Sequence, residues 1–259
     1  GTIQTQSVTI SNDFDNLLKW SDDIAELKVY TNADSSEAIQ TALDFGAQGV
    51  GLVRTEHMFF EADRIRAVRE MILSTSNMQR EVALRKILPT QREDFEKIFR
   101  TLKGRSVTVR YLDPPLHEFM PTTTQDIEEL AEIMSMTVPE IRDVIRSLHE
   151  FNPMMGHRGC RLAITYPEIA LMQNQALIEA AINVTNELDG VVLKPEIMIP
   201  LVGDVSEFNF LASRIRKLAD ELIEKAGIEL EYKIGTMIEL PRACILAGEI
   251  AKEADFLSF

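Results

Sequence analysis

Lys233-Ile-Gly-Thr-Met-Ile-Glu-Leu-Pro-Arg242 is an apolar run that stops on one carboxylate, Glu239, and passes through Pro241 into a helical pattern reaching Glu253. Read physically, it is a buried strand with an acidic end, followed at once by a helix. In a parallel (β/α)8 barrel that position is the C-terminal rim, where active sites are built. A carboxylate there suits a hard divalent cation, since Mg²⁺ takes one or two such ligands together with substrate oxygens and water. The plain alternative is an ordinary glutamate exposed at a strand end.

The same alternation extends outward on both sides. Strands are expected at Leu27–Thr31, Gly49–Val53, Val107–Tyr111, Leu162–Ile164, Glu196–Val202, the opening stretch and Asp255–Phe259. Helices are expected between them. One starts at Asp34-Ser-Ser-Glu37, which has capping-box spacing, and ends near Gly46. A long helical excursion covers 62–74 and then Gln79–Lys103, broken by Pro89 and closed by Gly104. A second, acidic one covers Asp126–Met134 and Pro139–Glu150, with another capping box at Thr137…Glu140. Pro167–Leu188 stops at Gly190. Asp204–Ala226 carries Phe208, Leu211, Ala212, Ile215, Leu218, Ala219, Leu222 and Ile223 on one stripe before Gly227. Strand–helix units of this regularity mean a parallel sheet with right-handed crossovers. The expected fold is an α/β TIM (β/α)8 barrel with helical excursions, breaking off within its seventh strand. Residues 1–24 read as a linker segment and short helix, with Thr2–Ile10 polar and β-branched and Trp20 on the helix, and residues 25–259 as the partial barrel.

Composition sets outer bounds. A chain of 259 residues with 45% hydrophobic content buries a core of barrel size. A net charge of −14 argues against nucleic acid or an anionic membrane as partner, but not against a small anion held by local arginines. The two cysteines, Cys160 and Cys244, lie far apart in apolar surroundings and read as buried structural thiols in a reducing, cytoplasmic compartment. No apolar run is long enough to cross a bilayer.

Three arginines, Arg54, Arg110 and Arg158, stand at the ends of predicted strands or next to them. Residues at the ends of different barrel strands converge on one mouth. Arginine offers a planar fork that matches phosphate and carboxylate and stays charged when buried. Three forks beside one metal-ligating carboxylate suit a small anion bearing phosphate and carboxylate. The alternative is that each arginine pairs with a nearby acid such as Glu56, Asp113 or Glu118.

Four stretches carry a family resemblance: Gly51-Leu-Val-Arg-Thr-Glu-His-Met-Phe-Phe60, Val109-Arg-Tyr-Leu-Asp-Pro-Pro-Leu-His-Glu-Phe119, Asn152-Pro-Met-Met-Gly-His-Arg-Gly-Cys-Arg161 and Gly235-Thr-Met-Ile-Glu-Leu-Pro-Arg242. In collinear order across roughly residues 14 to 259, they resemble the C-terminal domain of the phosphoenolpyruvate-utilising enzymes. The Leu-Asp-Pro-Pro-Leu-His-Glu-Phe run separates this chain from the phosphotransferase-system Enzyme I branch, which has a Gly-rich sequence in that place.

The resemblance implies that Arg54, Arg110 and Arg158 hold phosphoenolpyruvate, that Asp113 is an active-site acid and that Glu239 ligates Mg²⁺. Arg161 is a secondary candidate. The reaction implied is phosphoryl transfer between a phosphohistidine and the enolate oxygen of pyruvate, in an enzyme expected to be a homodimer. The phosphohistidine and nucleotide-binding domains are expected outside these residues, so His57, His117, His149 and His157 are not expected to carry phosphate. His57, His117 and His157 are placed near the mouth, His149 on a helix surface. The family continues with a Gly-Thr-Asn-Asp segment holding the second Mg²⁺ ligand, and an eighth strand bearing the cysteine that protonates the enolate. Both would follow Phe259, so these residues alone are expected to form an open barrel, prone to self-association and inactive. A non-catalytic module that binds the anion or supports dimerisation is the competing expectation, along with the other phosphotransferases of the family.

Overall fold

The computed structural model describes residues 11–61 and 64–259; the Thr2–Ile10 segment lies outside them. Six strands form one sheet: β1 (Thr31–Asn32), β2 (Val50–Arg54), β3 (Val107–Arg110), β4 (Pro195–Ile199), β5 (Lys233–Met237) and β6 (Leu257–Ser258). Each pairs in parallel with the next in chain order, so the sheet is the curled, incomplete wall of a (β/α) barrel with β1 and β6 at its edges. The register is level across the wall. Arg54 lies opposite Arg110, Arg110 opposite Met198, and Met198 opposite Gly235. Everything after that row in each strand belongs to one rim. At Gly235 a Cβ would sit 2.3 Å from the Phe256 carbonyl oxygen, so β6 approaches β5 this closely only because the residue is glycine.

Ten α-helices lie among the described residues: α1 (Asn12–Ile24), α2 (Ser36–Asp44), α3 (Ile65–Leu73), α4 (Asn77–Leu102), α5 (Thr124–Met134), α6 (Val138–Leu148), α7 (Gly159–Thr165), α8 (Pro167–Glu187), α9 (Val205–Ala226) and α10 (Pro241–Ile250). Their ends follow the chemistry of capping. Thr137 and Glu140 make the full capping box of α6, and Gly227, at φ 66°, closes α9.

Several expectations are corrected. Leu162–Ile164 is not a strand but part of α7, and the final apolar stretch is therefore the sixth strand rather than the seventh. Short apolar runs do not distinguish strand from helix by periodicity. Here the run is set between Gly159, at φ 54°, and Pro167, which starts the next helix, and it packs on α8 and α9 rather than entering the sheet. The first strand is likewise shorter than expected, with Leu27 and Val29 exposed and only Thr31–Asn32 in the ladder.

Nor does Pro89 break α4, which runs unbroken for 26 residues. Ala83, Leu84 and Ile87 before the proline, and Phe95, Ile98, Phe99 and Leu102 after it, all face inward. Along the seam with α8, Arg80, Arg92 and Arg100 pair with Glu168, Glu179 and Glu187. Burial along both halves outweighs the roughly 3 kcal/mol an interior proline costs a helix.

The main core lies between the sheet and the α4, α8 and α9 layer. A small separate cluster around Leu130 and Ile141 seats α5 and α6 next to the turn Leu116–Phe119. By contrast α1 has no buried residue, and Trp20 on it is exposed. Phe99→Ala should therefore lower stability by about 3–5 kcal/mol. Trp20→Ala should stay within about 0.5 kcal/mol. Equilibrium chemical denaturation of the two variants checks both values.

Candidate functional site

Two expected arginines are strand ends and one is a helix cap. Arg54 closes β2 and Arg110 closes β3, side by side in the level row. Arg158 precedes α7 as its N-cap residue, and reaches the same rim by way of the loop from α6. Arg110 and Arg158 converge on two acidic residues that follow the strands. Arg110 donates from Nη2 to Glu56 Oε1, and its Nη1 lies 3.2 Å from Asp113 Oδ2. Arg158 donates from Nη2 to the same Asp113 oxygen at 2.7 Å and from Nε to the Asp113 carbonyl at 3.0 Å. All four side chains are nearly buried, with 7–12% exposure. Glu118 takes no part and is exposed.

Three atoms of this cluster are buried without a hydrogen-bond partner among the described residues: Arg110 Nε, Asp113 Oδ1 and Glu56 Oε2. A buried, unpaired polar group costs about 1–3 kcal/mol, more when charged. The cluster of two cations and two anions is neutral, yet its hydrogen bonding is incomplete.

Arg54 stands apart from the other two. Asp34 Oδ1 accepts its backbone N–H at 2.6 Å, Asp34 Oδ2 lies 3.8 Å from its Nη1, and the same oxygen is 2.6 Å from His57 Nδ1. Asp34 was expected to cap the following helix. Ser35 does that, accepting from the Ala38 N–H, which leaves Asp34 free to fasten the β2 rim. Glu239 follows β5, half-buried, and its Oε1 accepts the Leu201 N–H at 2.8 Å. Among the described residues its other oxygen accepts no hydrogen bond. Glu239 forms no hydrogen bond or ion pair with these arginines. It joins them through the β4 rim, where the Pro200 carbonyl accepts the Cys160 N–H at 2.9 Å, two residues after Arg158.

Arg161 does not enter the cluster. It donates to the Gly156 and Met154 carbonyls and so shapes the loop that delivers Arg158, whose Nη1 lies 3.7 Å from Met154 Sδ. His117 stacks on His149 at 5.2 Å, so His149, exposed at the end of α6, is a ring partner rather than a lone surface residue. His157 Nε2 lies 2.9 Å from Thr165 Oγ1. Sequence reasoning missed Asp34 and Gln173 as parts of this rim, and treated Glu56 only as a possible ion partner. The signal for Glu56 was its place two residues after Arg54; for Gln173 it was an amide pair within an apolar helix.

The two cysteines differ from one another. Cys160 is buried, and burial, with a smaller contribution from Glu207, pushes its thiol up to about 12. Cys244 is exposed, contrary to expectation, because Ala243 takes the inward position at the start of α10 and the next residue turns outward. Maleimide at pH 8 should modify Cys244 within minutes and leave Cys160 unmodified until denaturant is added. Mass spectrometry of the labelled chain reads both.

The model of the PEP-utilising enzyme, PEP-binding domain, family matches residues 9–259, and the chain belongs to that family. Among named relatives it is similar to pyruvate, phosphate dikinase of Clostridium symbiosum, with 52% identity over 259 residues, 100% of this chain and 30% of the relative. It is 49% identical to pyruvate, phosphate dikinase of Rhizobium meliloti (strain 1021), over 100% of this chain and 29% of that protein. Chloroplastic pyruvate, phosphate dikinase of Mesembryanthemum crystallinum is 48% identical, over 100% of this chain and 27% of its own length. The chain thus spans about three-tenths of the length of these relatives. No helix among the described residues is long and apolar enough to cross a membrane.

Proposed function

We propose that residues 25–259 are the phosphoenolpyruvate- and pyruvate-binding domain of a dikinase-type phosphotransferase, with residues 1–24 as its leading linker and helix. In this reading Arg110 and Arg158 take the phosphate and carboxylate of the ligand, and Arg54 closes the site from the β2 side. Asp113 holds the two buried forks in register. The observation that carries the reading is the unpaired Arg110 Nε within a neutral, buried arginine–carboxylate cluster. An acceptor supplied by a ligand completes that donor, and a strongly charged anion shifts the forks from Glu56 and Asp113 towards itself. The names of the relatives support pyruvate as the enolate partner and a transferring phosphoryl group. Fixed guanidinium groups favour the charge that spreads over phosphoryl and enolate oxygens in the transition state.

Mg²⁺ belongs to the same proposal. Glu239 fits a single-carboxylate role, because one oxygen is fixed by the Leu201 N–H and the other accepts nothing among the described residues. Among the described residues no three or more His, Cys, Asp or Glu side chains gather to hold a metal; in this proposal substrate oxygens and water complete the ion's shell. When bound, Mg²⁺ supplies charge neutralisation at enolate and phosphoryl oxygens. A homodimer in a reducing, cytoplasmic compartment, with phosphohistidine and nucleotide-binding domains lying outside this stretch, belongs to the same reading.

Calorimetric titration of the chain with phosphoenolpyruvate, with and without Mg²⁺, tests the proposal. Charge-assisted hydrogen bonds are worth about 1.5–3 kcal/mol, so Arg110→Ala should weaken binding roughly 10- to 150-fold. Unchanged affinity with lowered stability would reduce the cluster to a structural ion-pair network. Glu239→Gln keeps the shape and the acceptor for Leu201 but removes the charge. It should abolish the enhancement by Mg²⁺ while leaving the melting temperature nearly unchanged, and an unaltered metal titration would make Glu239 an ordinary strand-end residue.

A further inference from the structure

Gln173 and Asn174 are adjacent amides on α8, fully buried in a helix whose other inward residues around them are apolar. Burying an amide without partners costs about 1–3 kcal/mol by mutational measure, so such side chains are kept only where they bond. Asn174 serves the core, accepting from the Tyr111 hydroxyl at 3.0 Å and donating to the Ile215 carbonyl at 3.0 Å. Gln173 reaches the rim. Its Oε1 accepts the Leu112 N–H at 2.8 Å, and its Nε2 donates to Thr55 Oγ1 at 2.9 Å. The orientation of the amide is fixed by chemistry, since a backbone N–H can only donate and the atom facing it must be oxygen.

The two partners are not arbitrary points. Thr55 is the residue between Arg54 and Glu56, and Leu112 precedes Asp113. The ladder between β2 and β3 ends at the Arg54–Arg110 row, after which one chain enters a 3-10 turn and the other the Pro114–Pro115 step. Among the described residues no backbone pairing beyond that row holds the ends of β2 and β3 at a set distance. Gln173 supplies the missing brace. It closes a ring that runs from Gln173 to Thr55, Glu56, Arg110, Asp113 and Leu112, and back to Gln173.

We infer that Gln173 is a positioning residue, which sets the spacing of Glu56 and Asp113 and through them the orientation of the Arg110 guanidinium. It touches no ligand in this scheme and acts through the two rim loops. The part of the inference that concerns ligand binding rests on the proposed function; the bracing of the loops does not.

The test pairs a ligand-free readout with a ligand readout. Gln173→Met keeps the length and removes both hydrogen bonds, Thr55→Val removes one, and Asn174→Leu is the control for loss of a buried amide that bonds the Tyr111 hydroxyl and Ile215 but neither Thr55 nor Leu112. Hydrogen exchange should speed up in the segments 54–59 and 112–116 of Gln173→Met, and in the first of them in Thr55→Val, at least tenfold beyond any change in Asn174→Leu. Phosphoenolpyruvate affinity should fall about tenfold in Gln173→Met and less in Thr55→Val, with little change in Asn174→Leu. Thr55→Val, the milder change, decides the matter if Gln173→Met does not fold. Equal exchange in all three variants, or exchange confined to α8, overturns the brace. Faster loop exchange with unchanged affinity overturns the positioning of Arg110. Absence of binding by the unaltered chain would refute the functional reading, and the exchange measurement would still decide the brace.

Discussion

One oxygen, Asp113 Oδ2, stands between two guanidinium groups, and the rim of the barrel is arranged around it. Arg110 reaches it from the end of β3, and Arg158 from the loop before α7. Without the carboxylate, two nearly buried cations would face one another with no shared counter-charge, a situation that costs several kcal/mol. With it, the strand that ends at Arg110 and the excursion that ends at Arg158 are fixed to one point. The level register supplies the other half of the arrangement. It places Arg54 beside Arg110 and brings the β4 and β5 ends to the same height. Arg110 then meets Glu56, 54 residues away in sequence, without any long reach.

Such a cluster is not a strong source of stability. Taking four charges out of water offsets much of their mutual attraction, and well-packed apolar residues often serve a fold as well or better. Stability here comes from the apolar layer between sheet and helices, which carries α4 past its own proline. What the cluster contributes is a set of fixed donors in a place of low dielectric, with some hydrogen-bonding capacity unfilled. A donor held ready and unpaired favours an incoming acceptor, because little reorganisation is needed when the acceptor arrives. The ordinary expectation that the arginines pair with neighbouring acids is true of this structure. It is compatible with ligand binding, because the same acids that satisfy the forks also aim them.

The legibility of this arrangement in the sequence varied with the reach of the signal. Apolar runs ending in Arg54, Arg110 and Glu239 gave their strands directly, because period and termination are local properties. Glycine at the end of α9 and the Thr137–Glu140 box were readable for the same reason. Pro89 was misread because the packing of α4 on α8 is a tertiary effect, and α7 because seven residues are too few to show a period. Asp34 and Ser35 are both good capping residues, and only three-dimensional structure shows which of them is used elsewhere. Gln173 is the extreme case. Its partners lie 118 and 61 residues away, and nothing in its immediate neighbourhood announces them.

The turn after β4 shows how far positioning extends beyond charged groups. Leu201 is buried at φ 60°, a conformation that costs a non-glycine residue roughly 1–2 kcal/mol. In that conformation its N–H meets Glu239, while the neighbouring Pro200 carbonyl receives the Cys160 N–H. Gly159 completes the fit, since a Cβ there would lie 3.1 Å from the Leu201 Cβ and 3.2 Å from the Pro200 oxygen. Gly159 itself is at φ 54°, so a side chain at that position would be strained in backbone as well as crowded. A single strained turn therefore sets the distance between the carboxylate of the β5 rim and the arginine of the α7 loop. It bears no charge and no reactive group. Its strain persists because two independent elements are fastened to it, and relaxing it would loosen both.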